Sequence, residues 1–478
     1  MSVLDLINNK QKKKIKKIVI PITTLQANKS QLSVIKEIEN STLVSVLGGA
    51  GVGKSQTIVN IASHFMATNR SVLIVASSDE AVNIVADRLN GLCGMDICMR
   101  GGRKDSNAKM ASKLLDLVEG KVNLKDENPS NIIKYLFDKD AKGLLKSQTL
   151  KRLKNLLSNA ESRKNLIIQA KMNLQNKTAK KEKLMKQIDF NPILKAFSAW
   201  AVTPQQISEV LPLNKDMFDV CIIDEASMGN IAEYLPVLYR SKKCVCVGDC
   251  HQIKFISWLE TKKEIGFAKK YEIPEDLQLV WRYRTNSIWD FLNYYADKTI
   301  LLNEYYRGYK EIFEFSNKKF YGNQIKIMTE SKKDSVQKIK VDGKLEDGVN
   351  VAEADKVLEI VKKIIAKGEK TTIGILSPIR KQCDYINKRL QKEVNYSDIV
   401  RYQIQCGTAH SYQGNQREIM INSWVYADNS PYQTLTFINN PNLLNVAITR
   451  AEKQVINLYS NDNMGDGLIA EYLGSITE

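Results

Sequence analysis

The sequence predicts an α/β protein of two lobes, each a parallel sheet wrapped by helices, with a helical insertion in the first. Short apolar runs alternate with helical stretches through residues 42–103, through 200–255 and again from about 277 onward. Strands buried on both faces read as continuous apolar runs, and crossover helices must join them. The chain has 478 residues and is 43% apolar. That is enough for two cores, because single cores stop growing near roughly 250–300 residues. Between about Lys104 and Asp189 the strand signal stops and charged helical sequence takes over.

Taken in order, residues 1–24 form a basic segment in which Lys10 to Lys17 precede the short apolar patch Ile18–Ile22. The first lobe is expected over 25–103 and 190–265, with buried strands at 42–47, Ser71–Ser77, Val220–Asp224 and Cys244–Gly248. The insertion covers 104–189, where Leu153, Leu157, Ala160, Ile167 and Leu174 recur at three- and four-residue multiples, interrupted by Lys164 and Lys171. This pattern predicts a helical hairpin or stalk rather than a long coiled coil. Lys151 to Asp189 holds 11 basic and 3 acidic residues, so the arm is either a nucleic-acid-facing surface or a solvated lysine face. The second lobe is expected over 266–478, with strands at Thr372–Leu376, Ile419–Trp424 and Val455–Tyr459, and a lysine-rich surface loop or hairpin at 328–349.

Charge narrows the partners. Seventy Lys and Arg against 53 Asp and Glu leave a net charge of +17, which calls for a polyanion such as nucleic acid or an anionic surface. No apolar run approaches the roughly 18 residues of a membrane span, and no secretion signal is evident. The eight cysteines are read as thiols of a reducing, ATP-containing, intracellular (cytoplasmic) compartment. Cys244, Cys246, Cys250 and His251 have loosely metal-like spacing, but Cys244-Val245-Cys246-Val247 alternates as a buried strand does.

The most informative stretch is Gly48-Gly49-Ala50-Gly51-Val52-Gly53-Lys54-Ser55, between a strand and a helix. Glycines let successive backbone N–H groups turn onto phosphate oxygens, and the helix start adds partial positive charge. Lys54 is expected on the β- and γ-phosphates and Ser55 on Mg²⁺, with Gln56 in the same helical turn. Asp224 and Glu225 end an apolar strand, where Asp224 can share the Mg²⁺ and Glu225 can orient and deprotonate the attacking water. These features predict a nucleoside-triphosphate site.

Further stretches carry a family resemblance. Asn28-Lys29-Ser30-Gln31, Asp224 to Ser227, Gly248-Asp249-Cys250-His251-Gln252, Tyr283-Arg284, Tyr412-Gln413-Gly414 and Asn445 to Ala451 occur in the order of superfamily 1 helicase motifs. The chain resembles the branch typified by the nonsense-mediated-decay helicase, from about residue 25 to 462. Phe320-Tyr321-Gly322, Asn350 to Ala354 and Gly374 to Pro378 are also similar to that branch. The resemblance implies two RecA-like lobes with ATP and Mg²⁺ between them, and hydrolysis driving 5′ to 3′ movement on a single strand, or unwinding of a tailed duplex. It implies arginine fingers at Arg284 and Arg450, adenine recognition by Gln31, stacking by Tyr283 and coupling through Gln252. Gly414 and Gln416 fall where the family touches the nucleotide sugar, and Gln416 replaces the family glutamate, with Glu418 further along. Single-strand contacts are implied at Ser77, Ser78, Thr203, Arg380, Thr408 and Ser411, with Trp200 and Tyr412 as stacking or core aromatics. The competing reading is an ATP-switched clamp that grips nucleic acid without separating strands.

Overall fold

The computed structural model describes residues 3–7, 17–93, 97–102, 194, 197–255, 257–412, 415–461 and 467–476. The expected insertion at 104–189 lies outside the described residues, as do Gln413 and Gly414. The chain divides into two compact units. The first holds Met1–Gly48, Gly53–Asp249 and Lys254–Leu302; the second holds Gly49–Val52, Cys250–Ile253 and Asn303–Glu478.

The first unit is built on a seven-stranded sheet of β1 (Leu43–Leu47), β2 (Val72–Ala76), β3 (Cys98–Arg100), β4 (Ala199–Val202), β5 (Val220–Asp224), β6 (Cys244–Gly248) and β7 (Lys298–Leu301). Their spatial order is β3-β4-β2-β5-β6-β1-β7, with every pairing parallel. The sequences Val-Leu-Ile-Val-Ala and Cys-Val-Cys-Val-Gly are buried throughout, as strands covered on both faces must be. Register then aligns the carboxyl ends: Leu47 lies opposite Gly248, and Ile223 opposite Cys246. The loops that follow β1, β5 and β6 therefore leave the same edge of the sheet, where open α/β sheets bind ligands.

β7 changes the expected boundary. Its pairing with β1, Val44 opposite Lys298 through Leu47 opposite Leu301, draws residues 266–302 into the first unit. Asp297 strengthens the junction by accepting the N–H groups of Thr42 and Leu43 at 2.8 and 3.0 Å.

The second unit adds β8 (Glu304–Tyr305), β9 (Lys326–Ile327), β10 (Val336–Lys340), β11 (Leu345–Glu346), β12 (Val349–Asn350), β13 (Ile373–Leu376), β14 (Gln405–Gly407), β15 (Arg417–Ser423) and β16 (Ala451–Tyr459). Five of them form a parallel sheet in the order β10-β16-β15-β13-β14. Ile373, Ile375, Ile421 and Ile456 pack with Val357, Val361, Ile386 and Leu390 in one apolar layer. Leu376, Met420 and Val455 pack with Val446, Ile448 and Leu473 in another. The three strands expected from sequence are present, and two edge strands join them. The 328–349 stretch is not wholly loop or hairpin: Val336–Lys340 is an edge strand whose alternating lysines keep that edge from recruiting another strand. No described helix is long and apolar enough to cross a membrane.

Candidate functional site

β1 runs into the glycine loop, and the helix Lys54–Ala67 leaves it. Gly51 and Gly53 adopt φ of 75° and 80°, the left-handed region where a side chain is strained. Space forbids one as well, since a Cβ on Gly53 would come within 2.6 Å of the Gln31 amide nitrogen. Gly53 caps the helix with no side-chain hydrogen bond, leaving first-turn N–H groups for an anion. Lys54 folds back over this loop, its ammonium donating to the Gly48 carbonyl at 2.8 Å.

Gln31 reaches the loop because of its own helix cap. Asn28 caps the helix Lys29–Asn40: its side chain accepts the Gln31 N–H at 2.9 Å, and Gln31 Oε1 accepts the Asn28 N–H at 3.1 Å. This reciprocal box fixes the amide, so its nitrogen end faces Gly53. Gln56, in the first helical turn, donates to the Gln26 carbonyl.

Asp224 and Glu225 close β5. Burial pushes the Asp224 carboxyl above its ordinary pKa, against the pull of the Lys54 ammonium and the Glu225 N–H, which donates at 2.9 Å. Glu225 itself has φ 49° and ψ 36°, a left-handed backbone that costs an L residue about 1–2 kcal/mol. Ser77, at the end of β2, lies 3.4 Å from Glu225 Oε2. The Tyr234 hydroxyl is buried behind this turn with no hydrogen-bond partner among the described residues. A buried carboxylate beside a lysine charge, with Ser55 at the helix start, is a donor set suited to a hard, oxygen-seeking cation such as Mg²⁺.

The described cysteines include no metal cluster. Cys244 and Cys246 are buried strand residues, and no group of three or more ligating side chains occurs among the described residues.

Arg284 departs from expectation. It belongs to the first unit, where its backbone N–H donates to Glu264 at 3.0 Å and its guanidinium donates to Thr261, while its Nε is buried without a partner among the described residues. The cause is β7, which keeps the chain in the first sheet until Leu302. Tyr283 goes with it, meeting Phe255 edge-on at 5.6 Å beside Trp281 and Arg282 in a 380 Å³ cavity.

The second unit offers a different Tyr-Arg pair, Tyr306-Arg307, ahead of Phe320-Tyr321-Gly322. The Tyr306 N–H donates to the Gly51 carbonyl at 2.9 Å. A Cβ on Gly51 would lie 2.6 Å from both the Arg307 Cβ and the Tyr305 ring. Arg307 donates to the Thr449 carbonyl at 3.3 Å, and enclosure of its guanidinium lowers its pKa against the pull of Tyr305 and Glu452. Arg450 donates to the Thr449 hydroxyl at 3.1 Å and to the Val446 carbonyl at 3.0 Å. Both guanidinium groups thus converge on Thr449. The sequence signal was a second Tyr-Arg dipeptide, placed just after a strand, that reading by motif order passed over.

The remaining residues fall into two rows. Val75 lies opposite Val202, so Ser77, Ser78 and Thr203 follow the carboxyl ends of neighbouring strands. Leu376 lies opposite Gly407, so Arg380, Thr408 and Ser411 do the same in the second sheet. Ser78 caps the helix Asp79–Cys93 through the Ala81 N–H at 3.2 Å, Thr203 is buried, and Arg380 pairs with Asp384 at 3.1 Å. The Ser411 hydroxyl donates to the Thr408 carbonyl at 2.7 Å. Trp200 and Tyr412 are core aromatics: Trp200 donates to the Phe197 carbonyl at 2.9 Å, and the Tyr412 hydroxyl accepts the Ile375 N–H at 3.0 Å. Gln252 is buried in the turn of the second unit, and Gln416 is exposed and donates to Glu452 at 2.6 Å.

A strand, a glycine loop and a helix, with an acid pair ending a parallel strand of the same sheet, define the first unit as a RecA-like P-loop nucleotide-binding domain. Family models described as AAA domain match residues 26–254 and 332–461. An uncharacterized ATP-dependent helicase of Mycoplasma genitalium is 24% identical over 310 residues, 59% of this chain and 28% of that one. Regulator of nonsense transcripts 1 of Dictyostelium discoideum is 23% identical over 477 residues, 93% of this chain and 32% of that one. Among solved structures, an arterivirus nonstructural protein 10 helicase in complex with DNA aligns with a TM-score of 0.39 and 12% identity, over 93% of this chain and 65% of that one. The chain belongs to the superfamily 1 helicases, in the branch that includes regulator of nonsense transcripts 1. The chain spans between 27% and 36% of the length of four of the curated relatives it matches.

Proposed function

We propose that the chain hydrolyses ATP to move along single-stranded nucleic acid and to open tailed duplexes, in the 5′ to 3′ direction that its family branch implies. One observation carries most of this reading: a buried, under-neutralised Asp224 shares the field of Lys54 at the carboxyl edge of a parallel sheet that also presents a glycine loop. Lys54 and the loop N–H groups hold the phosphates, and Gln31 reads the adenine edge with an amide already oriented by its cap. Mg²⁺, held by Ser55 and Asp224, would neutralise phosphate charge. Glu225 orients the attacking water and takes its proton. Arg307 replaces Arg284 as the guanidinium for the γ-phosphate, together with Arg450, because its stem packs on Gly51 and its head meets Arg450 at Thr449.

The two strand-end rows, Ser77, Ser78 and Thr203 in one unit and Arg380, Thr408 and Ser411 in the other, provide backbone-gripping hydroxyls and a cation. Such contacts fix register without reading sequence. The net charge of +17 suits this track, and the low cysteine content, eight in 478 residues, suits the reducing cytoplasmic compartment we assign to it.

Displacement of a labelled strand from 5′-tailed and 3′-tailed duplexes tests the reading. ATP-dependent displacement on the 5′ tail alone is expected. Nucleic-acid-stimulated hydrolysis with no displacement on either tail would instead establish a clamp.

A further inference from the structure

Two cysteines outside the nucleotide machinery are neighbours in space. Cys383 lies in the first turns of the helix Arg380–Glu393, and Cys406 lies in the three-residue edge strand β14. The Cys383 thiol donates to the Ser377 carbonyl at 3.6 Å, and the Cys406 thiol donates to the Cys383 carbonyl at 3.7 Å, which sets the two side chains next to each other. Cys383 is buried, whereas Cys406 is partly open to solvent.

We propose that Cys383 and Cys406 are a redox modification site, closing to a reversible disulfide when the protein meets hydrogen peroxide. The Cys383 sulfur attacks one peroxide oxygen, breaking the O–O bond and leaving as a sulfenic acid with release of water. The Cys406 sulfur then attacks that sulfenic sulfur and expels a second water. Two thiols and one peroxide thus give one disulfide and two waters, and an external dithiol reverses the change by exchange.

The local chemistry favours this order. The adjacent Cys406 thiol and the charge of nearby Arg380 hold the Cys383 thiol below its ordinary pKa, while the same neighbour and burial push Cys406 up. One sulfur is therefore the better nucleophile and the other keeps the proton. Edge position matters too, because among the described residues β14 pairs only with β13, and its three residues can yield to the shorter S–S distance of about 2.05 Å.

The chain contains its own control. Cys221 and Cys244 are also neighbours, as opposed residues of β5 and β6, but both are buried in the centre of the seven-stranded sheet, and burial pushes the Cys244 thiol well up. They should remain thiols under the same treatment.

Closure would draw the start of the Arg380 helix toward β14, which leads to Thr408 and Ser411. The expected consequence, which rests on the single-strand contacts proposed above, is a several-fold weaker affinity for single strands that reduction restores.

The test is peroxide treatment of the full chain, alkylation of remaining thiols, and peptide mapping. A single linkage between Cys383 and Cys406, lost in Cys383→Ser and Cys406→Ser and reversed by dithiothreitol, is expected. Recovery of both residues as alkylated thiols, or Cys406 over-oxidised without linkage, overturns the site. If the linkage forms and single-strand affinity is unchanged, the site stands and the contacts assigned to Arg380, Thr408 and Ser411 fall.

Discussion

Each unit buries a carboxylate at the end of its sheet, and the two are treated in opposite ways. Glu353, in the helix Val351–Lys367 of the second unit, is wrapped by its surroundings. It accepts from Ser423 at 2.7 Å, Ser460 at 2.8 Å, the Val425 N–H at 3.0 Å and Asn350 Nδ2 at 3.3 Å. By accepting the Val425 N–H it anchors a β-branched residue at φ 65°. Asp224 in the first unit is as deeply buried but draws one backbone hydrogen bond among the described residues and the field of Lys54. The first pattern is complete and locks a strand end; the second is incomplete and suits a cation and phosphate. Degree of satisfaction, rather than burial, separates the structural carboxylate from the functional one.

Substitutions can break this contrast. Glu225→Gln, next to Asp224, should leave nucleotide binding intact and cut turnover by about 10³-fold in a steady-state ATPase assay, the usual scale for a lost general base. Glu353→Gln should leave turnover within about two-fold, because no reacting group is removed. Equal losses in both variants would erase the distinction.

Stability should separate them in the other direction. Glu353→Ala strips four donors of their acceptor and should cost about 3 kcal/mol in chemical denaturation, enough to lower the midpoint visibly. Burial raises the Glu353 pKa from 4.5 to about 7. The folded state therefore keeps a proton that the unfolded chain releases. Its contribution is complete below pH 4.5 and falls as pH rises to about 7, by about 3 kcal/mol. Denaturation midpoints across that range should show this decline in the wild type and a flatter profile in Glu353→Gln.

The smallest effect concerns Tyr234, whose buried hydroxyl lacks a partner among the described residues behind the acid pair. Tyr234→Phe removes an unsatisfied group and should raise stability by roughly 1 kcal/mol in thermal denaturation. A loss of stability would place a bound water or an unrecognised acceptor there.

Much of the first sheet was legible because its evidence is local. Runs such as Val220–Asp224 declare buried strands, and the glycine spacing at 48–53 declares the loop. Gln31 was placed by resemblance, and the capping box explains physically why it reaches Gly53. What the sequence concealed depends on long-range pairing. Lys298–Leu301 is short and half exposed, and nothing within it shows that it will pair with β1 some 250 residues earlier. Missing that strand moved the domain boundary, and the boundary carried Arg284 into the wrong unit. Trp200 and Tyr412 show the same limit, since an aromatic at a motif position looks alike whether it faces a base or a core.

The hydrolytic assignment therefore turns on which Tyr-Arg pair supplies the charge. Single-turnover ATP hydrolysis by Arg307→Ala and Arg284→Ala, with nucleotide binding measured separately, tests it most directly. Arg307→Ala should retain binding and lose about 10³-fold in the hydrolysis rate, the scale of a lost arginine finger, while Arg284→Ala stays within a few-fold of wild type. The reverse ranking, or full activity in Arg307→Ala, would contradict the assignment.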